Sequence, residues 1–465
     1  MAINQSTSEF ESKSSKLIRK TSETLFLIFP WFSPPLIEHC LMLLHSQGSP
    51  TTDLSDDELR QALRQVLTQI GPRQNVLAIP PDFTRFHSRA GLLTTEIFNY
   101  YGDKLKDILP ALGTHVPMPA PQLDEMFPSV PHSLFRPHRW RDDVVTIGKV
   151  PSEYVSEVTE GIWNKPWPAQ LNKLVWDGGH DLIISVGQVV PHEVIGMANG
   201  NKNLFVGTGG VSGINESHFI GAAYGMERMM GKADTPLRRI LNQAEELFCQ
   251  KLPTLYIQTV VGSRSDGSLA TRGLYIGYGT APFEAAADLA GQVNFTQLDE
   301  EPQRIVCYLD PTEFHSTWLG NKAIYRTRMA IATGGQLTVL APEVKEFGED
   351  PEIDRLIRKY GYRTSPEVMA FVDQNQDLAN NLSAAAHLIH GSSENRFQVT
   401  YCPGHLTREE IENVGYQYRD LQEALAYYEP EKLQEGWNTD RDGNPFYYIP
   451  NPALGLWAAK SRLSS

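Results

Sequence analysis

His192, Lys202 and His218 lie ten and sixteen residues apart, in a stretch that also holds Gly187, Gly196, Gly200, Gly207, Gly209, Gly210 and Gly213. Histidine can act as a general base or a metal ligand. A lysine in a glycine-rich loop can hold a phosphate as a point charge, or react covalently once it is desolvated. The glycines let the backbone turn sharply and approach a ligand closely. Taken alone, the stretch reads equally well as a flexible loop in which two histidines and a lysine happen to fall.

Other candidates come from separate segments. Asp82-Phe83-Thr84-Arg85 follows a short apolar run. Thr84 and the Arg85 fork could grip a phosphate or carboxylate, although by itself the motif favours an Asx-type turn that starts a helix. Gly113-Thr114-His115 alone favours a turn with a surface histidine. Gly320-Asn321-Lys322 echoes Gly200-Asn201-Lys202, and a lysine opening a helix is well placed to meet an anion. His132 and His138, in a loop rich in Pro, Arg and His, are expected to be solvated.

An α/β framework would position these residues. Ser55-Asp56-Asp57-Glu58 reads as a capping box opening a helix to about Ile70. Val76–Ile79 is a short buried strand, a helix runs near Leu92 to Tyr101, and Ile108–Leu112 and Asp181–Val186 are further strands. Asp82, His115 and His192 thus follow the carboxyl ends of strands, where open α/β sheets bind ligands. A helix is expected around Leu241–Pro253, a strand over Thr254–Gly262, and a crossing loop over Ser263–Gly279. A second α/β pattern follows: strand Ile305–Leu309, helix Lys322–Thr333, strand Gln336–Ala341 and helix Glu352–Tyr360. The expected organisation is two α/β domains with the active site in the cleft between them. Residues 1–21 form a disordered tail, 22–294 the first domain, 295–405 the second, and 406–465 a tail packing back on the first.

Composition narrows the partners. The 465 residues carry 41 basic and 55 acidic side chains, a net charge of −14, which repels phosphate backbones and argues against nucleic acid. Any anionic ligand must therefore meet locally gathered cations. Cys40, Cys249, Cys307 and Cys402 form no CxxC pair, which fits a reducing, cytoplasmic setting better than a disulfide framework. The apolar run Leu25–Leu44 contains Pro30, Pro34, Pro35, Glu38 and His39, costly in a spanning helix. It reads as a buried segment, with no membrane partner.

Together these pieces resemble the nickel-pincer lactate racemase family over about residues 75–400. The shared features are Asp-x-Thr-Arg at Asp82–Arg85, Gly-Thr-His at Gly113–His115, Pro191-His192, then a lysine ten residues on and a histidine sixteen further. The resemblance implies that Lys202 anchors a pyridinium-derived mononucleotide carrying nickel, and that His218 is a nickel ligand. It further implies that His115 and His192 are an acid/base pair, with two α/β domains around the cofactor. The reaction implied is inversion of a 2-hydroxy acid by hydride removal and return, with a base for each orientation of the hydroxyl. Asp82, Thr84 and Arg85 would meet the cofactor; Arg85, Trp318 and Lys322 would meet the substrate. Enzymes that make the cofactor are the implied partners.

The sequence also departs from the family. Phe86 replaces the usual proline, and Ala198-Asn199-Gly200-Asn201-Lys202 replaces Ser-Gly-Gly-x-Lys. Trp318-Leu319-Gly320-Asn321-Lys322 replaces the lactate-binding Tyr-Gln-x-x-Lys, and Glu343–Gly348 replaces a Gly-His-Gly stretch. The substrate pocket is therefore expected to have changed. The competing reading is a homologue that binds a nucleotide or metal without this cofactor, either an NAD-type oxidoreductase or a non-catalytic binding protein. Against a dinucleotide fold, Pro80-Pro81-Asp82 stands where GxGxxG would follow the first strand.

Overall fold

The computed structural model describes residues 42–264, 268–453 and 455–463. The expected tail 1–21, Cys40 and most of the apolar run 25–44 lie outside the described residues. The end of that run enters β1 (Leu43–Gly48), an edge strand with Leu43 exposed.

The first sheet also contains β2 (Val76–Ile79), β3 (Leu105–Ile108), β4 (Leu182–Gln188), β5 (Thr254–Ser263) and β6 (Leu269–Gly277). Its order is β1-β6-β5-β4-β2-β3. Pairings among β3, β2, β4 and β5 are parallel; β6 and β1 are antiparallel. Every residue of β2 and β4 is buried, as expected where both faces of a parallel sheet are covered. The capping box at Ser55 forms, with the Glu58 carboxylate accepting from Ser55 N–H at 2.8 Å.

A second sheet is built from β7 (Arg304–Tyr308), β8 (Gln336–Ala341), β9 (Gln398–Pro403), β10 (Gln417–Tyr418), β11 (Gly436–Thr439) and β12 (Pro445–Ile449), in the order β10-β9-β8-β7-β12-β11. A continuous buried core joins the two sheets, from Leu77 and Ile183 to Ile305 and Val339. The helix Val211–Tyr224 packs on the helix Leu382–His390 across this junction, and Ser383 Oγ donates to Asn215 Oδ1 at 2.7 Å.

Several expectations are corrected. The described part of Ser263–Gly279 is not a crossing loop: β6 pairs antiparallel with β5, with Ala270, Leu274 and Ile276 buried and a register shift between Thr271 and Gly273. The third strand is Leu105–Ile108, earlier than expected, because Pro110 cannot donate to a ladder. The helix expected near Leu241 starts at Pro236, capped by Thr235 Oγ1. The helix from Lys322 ends at Tyr325 and continues as turns. The chain after Leu406 mostly joins the second sheet, and only its end, where Leu456 packs with Met226 and Met230, touches the first domain. It adds β10, β11 and β12 to the second sheet, and its last strand, Leu456–Ala459, pairs in parallel with Phe295–Leu298. Among the described residues no helix is long and apolar enough to cross a membrane, and Cys249, Cys307 and Cys402 are free and buried.

Trp457 ties that last strand down. Its ring is buried, its Nε1 donates to Glu435 at 3.2 Å, and its backbone N–H reaches Arg326 O at 3.1 Å. Trp457→Ala should cost about 3–5 kcal/mol, read as a lowered midpoint in denaturant unfolding.

Candidate active site

The loops past the carboxyl ends of β2, β3, β4 and β7 meet in one cleft. Past β2, Asp82 caps a short helical turn (Phe83–Ser88): its Oδ1 accepts from Thr84 N–H at 3.2 Å and from Thr84 Oγ1 at 2.5 Å. Thr84 is exposed and its hydroxyl is spent on this cap. The left-handed Gly113 (φ 58°) turns the chain past β3, and its N–H binds Gly207 O at 2.8 Å. That docks the Gly-Thr-His turn on the glycine-rich loop and brings His115 Nδ1 to 2.6 Å from Asp82 Oδ2. Burial would raise the Asp82 carboxyl, but the His115 contact, the Thr84 hydroxyl and the Arg85 charge outweigh it and hold the group low. With Asp82 ionised, His115 Nδ1 carries the proton and Nε2 the lone pair.

Past β4, Pro191-His192 forms a two-residue ladder with Gly196-Met197. His192 is buried and its Nδ1 accepts from Val194 N–H at 3.1 Å. Burial, reinforced by Lys202, Arg85 and Arg326, holds its pKa well below the usual range despite Glu193. The ring is thus neutral with its proton on Nε2. His218, on the helix Val211–Tyr224, donates from Nδ1 to Ile214 O at 2.7 Å, leaving Nε2 as a free lone pair; burial lowers its pKa. All three histidines are anchored through Nδ1, and no described residue bonds to any of their Nε2 atoms.

Lys202 follows two left-handed residues, Asn199 (φ 68°) and Gly200 (φ 62°). Arg238 staples this loop from beneath, donating to Asn201 Oδ1 (2.6 Å), Met197 O (2.8 Å) and Asn199 O (3.1 Å). Asn201 also donates to Asn242 and Glu245. The bulk of Asn199 is accommodated against Gly187, where a Cβ would lie 2.9 Å from its Nδ2. Lys202 and Arg85 make no ion pair or hydrogen bond with any described side chain. Burial, with the charge of Arg85, pushes the Lys202 amine down to about 8, and burial also lowers Arg85.

The second sheet supplies the opposite wall. Lys322 Nζ lies 3.6 Å from Glu313 Oε1, and burial lowers its pKa. The Trp318 ring lies against His387, tilted by 31° with centroids 4.4 Å apart. Lys202 and Lys322 both respond to the charge of Arg85, so these three cations, distant in sequence, share one cleft.

Three further residues belong here. Arg326 is buried; its Nη1 donates to Pro191 O at 2.9 Å and its Nη2 lies 3.8 Å from Glu193 Oε2. Glu193 and His390 complete the group. Glu193 directly follows Pro191-His192 in the sequence, whereas no motif there marks Arg326 or His390. By contrast His138 is a correction: it is buried between Gly209 O (2.9 Å) and Asn172 (2.9 Å), a structural prop under the glycine-rich loop. His132 is exposed and paired with Asp124.

Residues 43–229 match the family model of the lactate racemase N-terminal domain. Over that stretch the chain is similar to the lactate racemase family. The matched stretch contains Asp82, Arg85, His115, His192, Lys202 and His218; Trp318 and Lys322 lie beyond it. The lactate racemase apoprotein from Thermoanaerobacterium thermosaccharolyticum shares the fold, with a TM-score of 0.64 at 17% identity over 92% of this chain and 96% of that one. A structural-genomics protein from Thermotoga maritima aligns with a TM-score of 0.74 at 23% identity, over 90% of this chain and 100% of that one. No curated protein sequence matches the chain.

The depressed Lys202 amine has a direct readout. Acylation of Lys202 by an amine-selective reagent, followed by peptide mass spectrometry, should reach half its maximal rate near pH 8. An ordinary lysine would do so near pH 10.4.

Proposed function

We propose that the protein is a racemase or epimerase of a 2-hydroxy acid that works with a nickel-pincer nucleotide. The observation that supports this best is the shared geometry of three histidines and a lysine. His115, His192 and His218 come from three segments, each fixed through Nδ1 with Nε2 unpledged. They lie in one charge network with the partnerless Lys202.

The residues fit the cofactor. Among the described residues no three His, Cys, Asp or Glu side chains gather as a metal site, so a metal here would take most of its ligands from an organic group. His218 Nε2 is a free donor, fixed by its bond to Ile214 O in the manner of metal-binding histidines. Lys202, with a pKa near 8, has a reactive amine fraction at neutral pH and would be the anchor. When bound, the nucleotide supplies a centre that takes hydride from C2 of the substrate and returns it.

The chain's own residues do the rest. Arg85 and Lys322 hold the substrate carboxylate. The Asp82 carboxylate keeps His115 Nε2 as the proton acceptor for the C2 hydroxyl. His192 presents Nε2–H as the second member of the acid/base pair. Trp318, packed against His387, forms an apolar wall. Loading would depend on cofactor-making enzymes, and the free buried cysteines accord with a reducing cytoplasm.

Co-expression with the cofactor-making enzymes, followed by chiral analysis of a 2-hydroxy-acid panel, tests the reading. A single enantiomer should be converted to a mixture. His115→Ala and His192→Ala should each lower turnover about 10²–10⁴-fold. Because inversion of an enantiomer has an equilibrium constant of one, each loss must appear in both directions. Full turnover in both variants would refute the two-histidine scheme.

A further inference from the structure

The two histidines of the acid/base pair are not equally equipped. His115 Nδ1 lies 2.6 Å from Asp82 Oδ2, so its proton is held on Nδ1 and Nε2 keeps a lone pair. His192 Nδ1 accepts from Val194 N–H at 3.1 Å, which puts the one proton of the neutral ring on Nε2. In that resting state His192 can neither take a proton nor give one. It has no lone pair at Nε2 for a hydroxyl proton, and losing its only proton would leave an imidazolate anion.

To take part, the ring must carry a proton on Nδ1. The neutral Nδ1–H tautomer accepts at Nε2, and the imidazolium donates from it. A proton on Nδ1 cannot face Val194 N–H, because two donors would then meet. It needs an acceptor, and Glu193 Oε2 lies 3.8 Å from Nδ1, about 1 Å beyond a charge-assisted hydrogen bond. Arg326 Nη2 lies 3.8 Å from the same oxygen, and its Nη1 donates to Pro191 O at 2.9 Å, which keeps the carboxylate beside the ring. Burial would raise the Glu193 pKa, but His192, Arg326 and His390 outweigh burial and hold it ionised. Burial disfavours a charged His192; of its neighbours Glu193, Lys202, Arg85 and Arg326, only Glu193 favours one.

We infer that Glu193 is the positioning residue of His192, as Asp82 is of His115. This step rests on the racemase reading above. When the C2 hydroxyl proton passes to His192 Nε2, the Nδ1 proton points to Glu193 and Val194 N–H releases the ring. When the imidazolium returns its Nε2 proton to the ketone oxygen, the ring goes back to the neutral Nδ1–H tautomer. A carboxylate on Nδ1 fixes the tautomer and stabilises the imidazolium, as in hydrolytic triads.

Diethyl pyrocarbonate acylates the imidazole nitrogen that bears a lone pair. Labelling the unloaded full-length chain at pH 7, followed by peptide mass spectrometry, reads how readily His192 offers Nε2, with His115 in the same sample as the reference. The ratio of His192 to His115 labelling should fall several-fold in Glu193→Met, which keeps the length and removes the acceptor. It should fall less in Glu193→Gln, which keeps a neutral acceptor. Melting curves check that both variants fold; if the methionine variant does not, the ratio in Glu193→Gln decides. In the loaded enzyme kcat should fall in both directions with KM little changed, because Glu193 acts through His192. An unchanged ratio in the folded variants, a wild-type His192 that takes no label, or unchanged turnover would overturn the inference. Failure of the racemase reading shows separately, as absent chiral inversion by the loaded wild type while the labelling ratio still falls in the variants.

Discussion

Burying a cation without a partner costs far more than pairing it at the surface, and this chain gathers four cations in one cleft. Arg85, Lys202, Lys322 and Arg326 arrive from segments far apart in sequence, on a protein whose net charge is −14. The anions that meet them directly are few: Asp82, which is committed to His115 and Thr84, Glu313, which is near Lys322, and Glu193. The excess of positive charge makes the cleft a receptor for an anion. Burial first, and this charge second, depresses the Lys202 amine and lowers the pKa of His192 and His218. Much of the remaining architecture can be understood as holding these charges in place against their repulsion.

Two devices do that holding. Beneath the glycine-rich loop, Arg238, Asn201 and Glu245 form a buried network that fixes the backbone carrying Lys202. Arg238 itself is pushed down to about 9 by burial, so the network needs its carbonyl and amide acceptors. Across the cleft, Arg326 joins the second sheet to Pro191 O and places the next residue, His192. The parallel pairing of Phe295–Leu298 with Leu456–Ala459 and the Trp457 contact to Arg326 O anchor that strut from behind.

Local signals are legible in the sequence. The Ser55 capping box, the buried β2 and β4, and β8 at Gln336–Ala341 follow from short-range chemistry. So does the placement of Asp82, His115 and His192 past strand ends. Long-range pairing was not legible. Nothing local says that Pro445–Ile449 pairs with Arg304–Tyr308, or that Leu269–Gly277 folds back on Thr254–Ser263. His138 looked solvated because its neighbours are polar, yet Gly209 and Asn172 enclose it. Glu193, Arg326 and His390 matter through tertiary convergence, which spacing does not encode. The Asn199 and Trp318 departures are visible in the sequence as departures.

The central claim is that this cleft carries a covalently anchored, nickel-bearing nucleotide. Intact-mass and nickel analysis of the chain, purified after co-expression with the cofactor-making enzymes, addresses it most directly. The account predicts a mass increase that is absent in Lys202→Ala, and nickel that is lost in His218→Ala while the mass increase persists. A chain that stays unmodified and nickel-free under those conditions would contradict it.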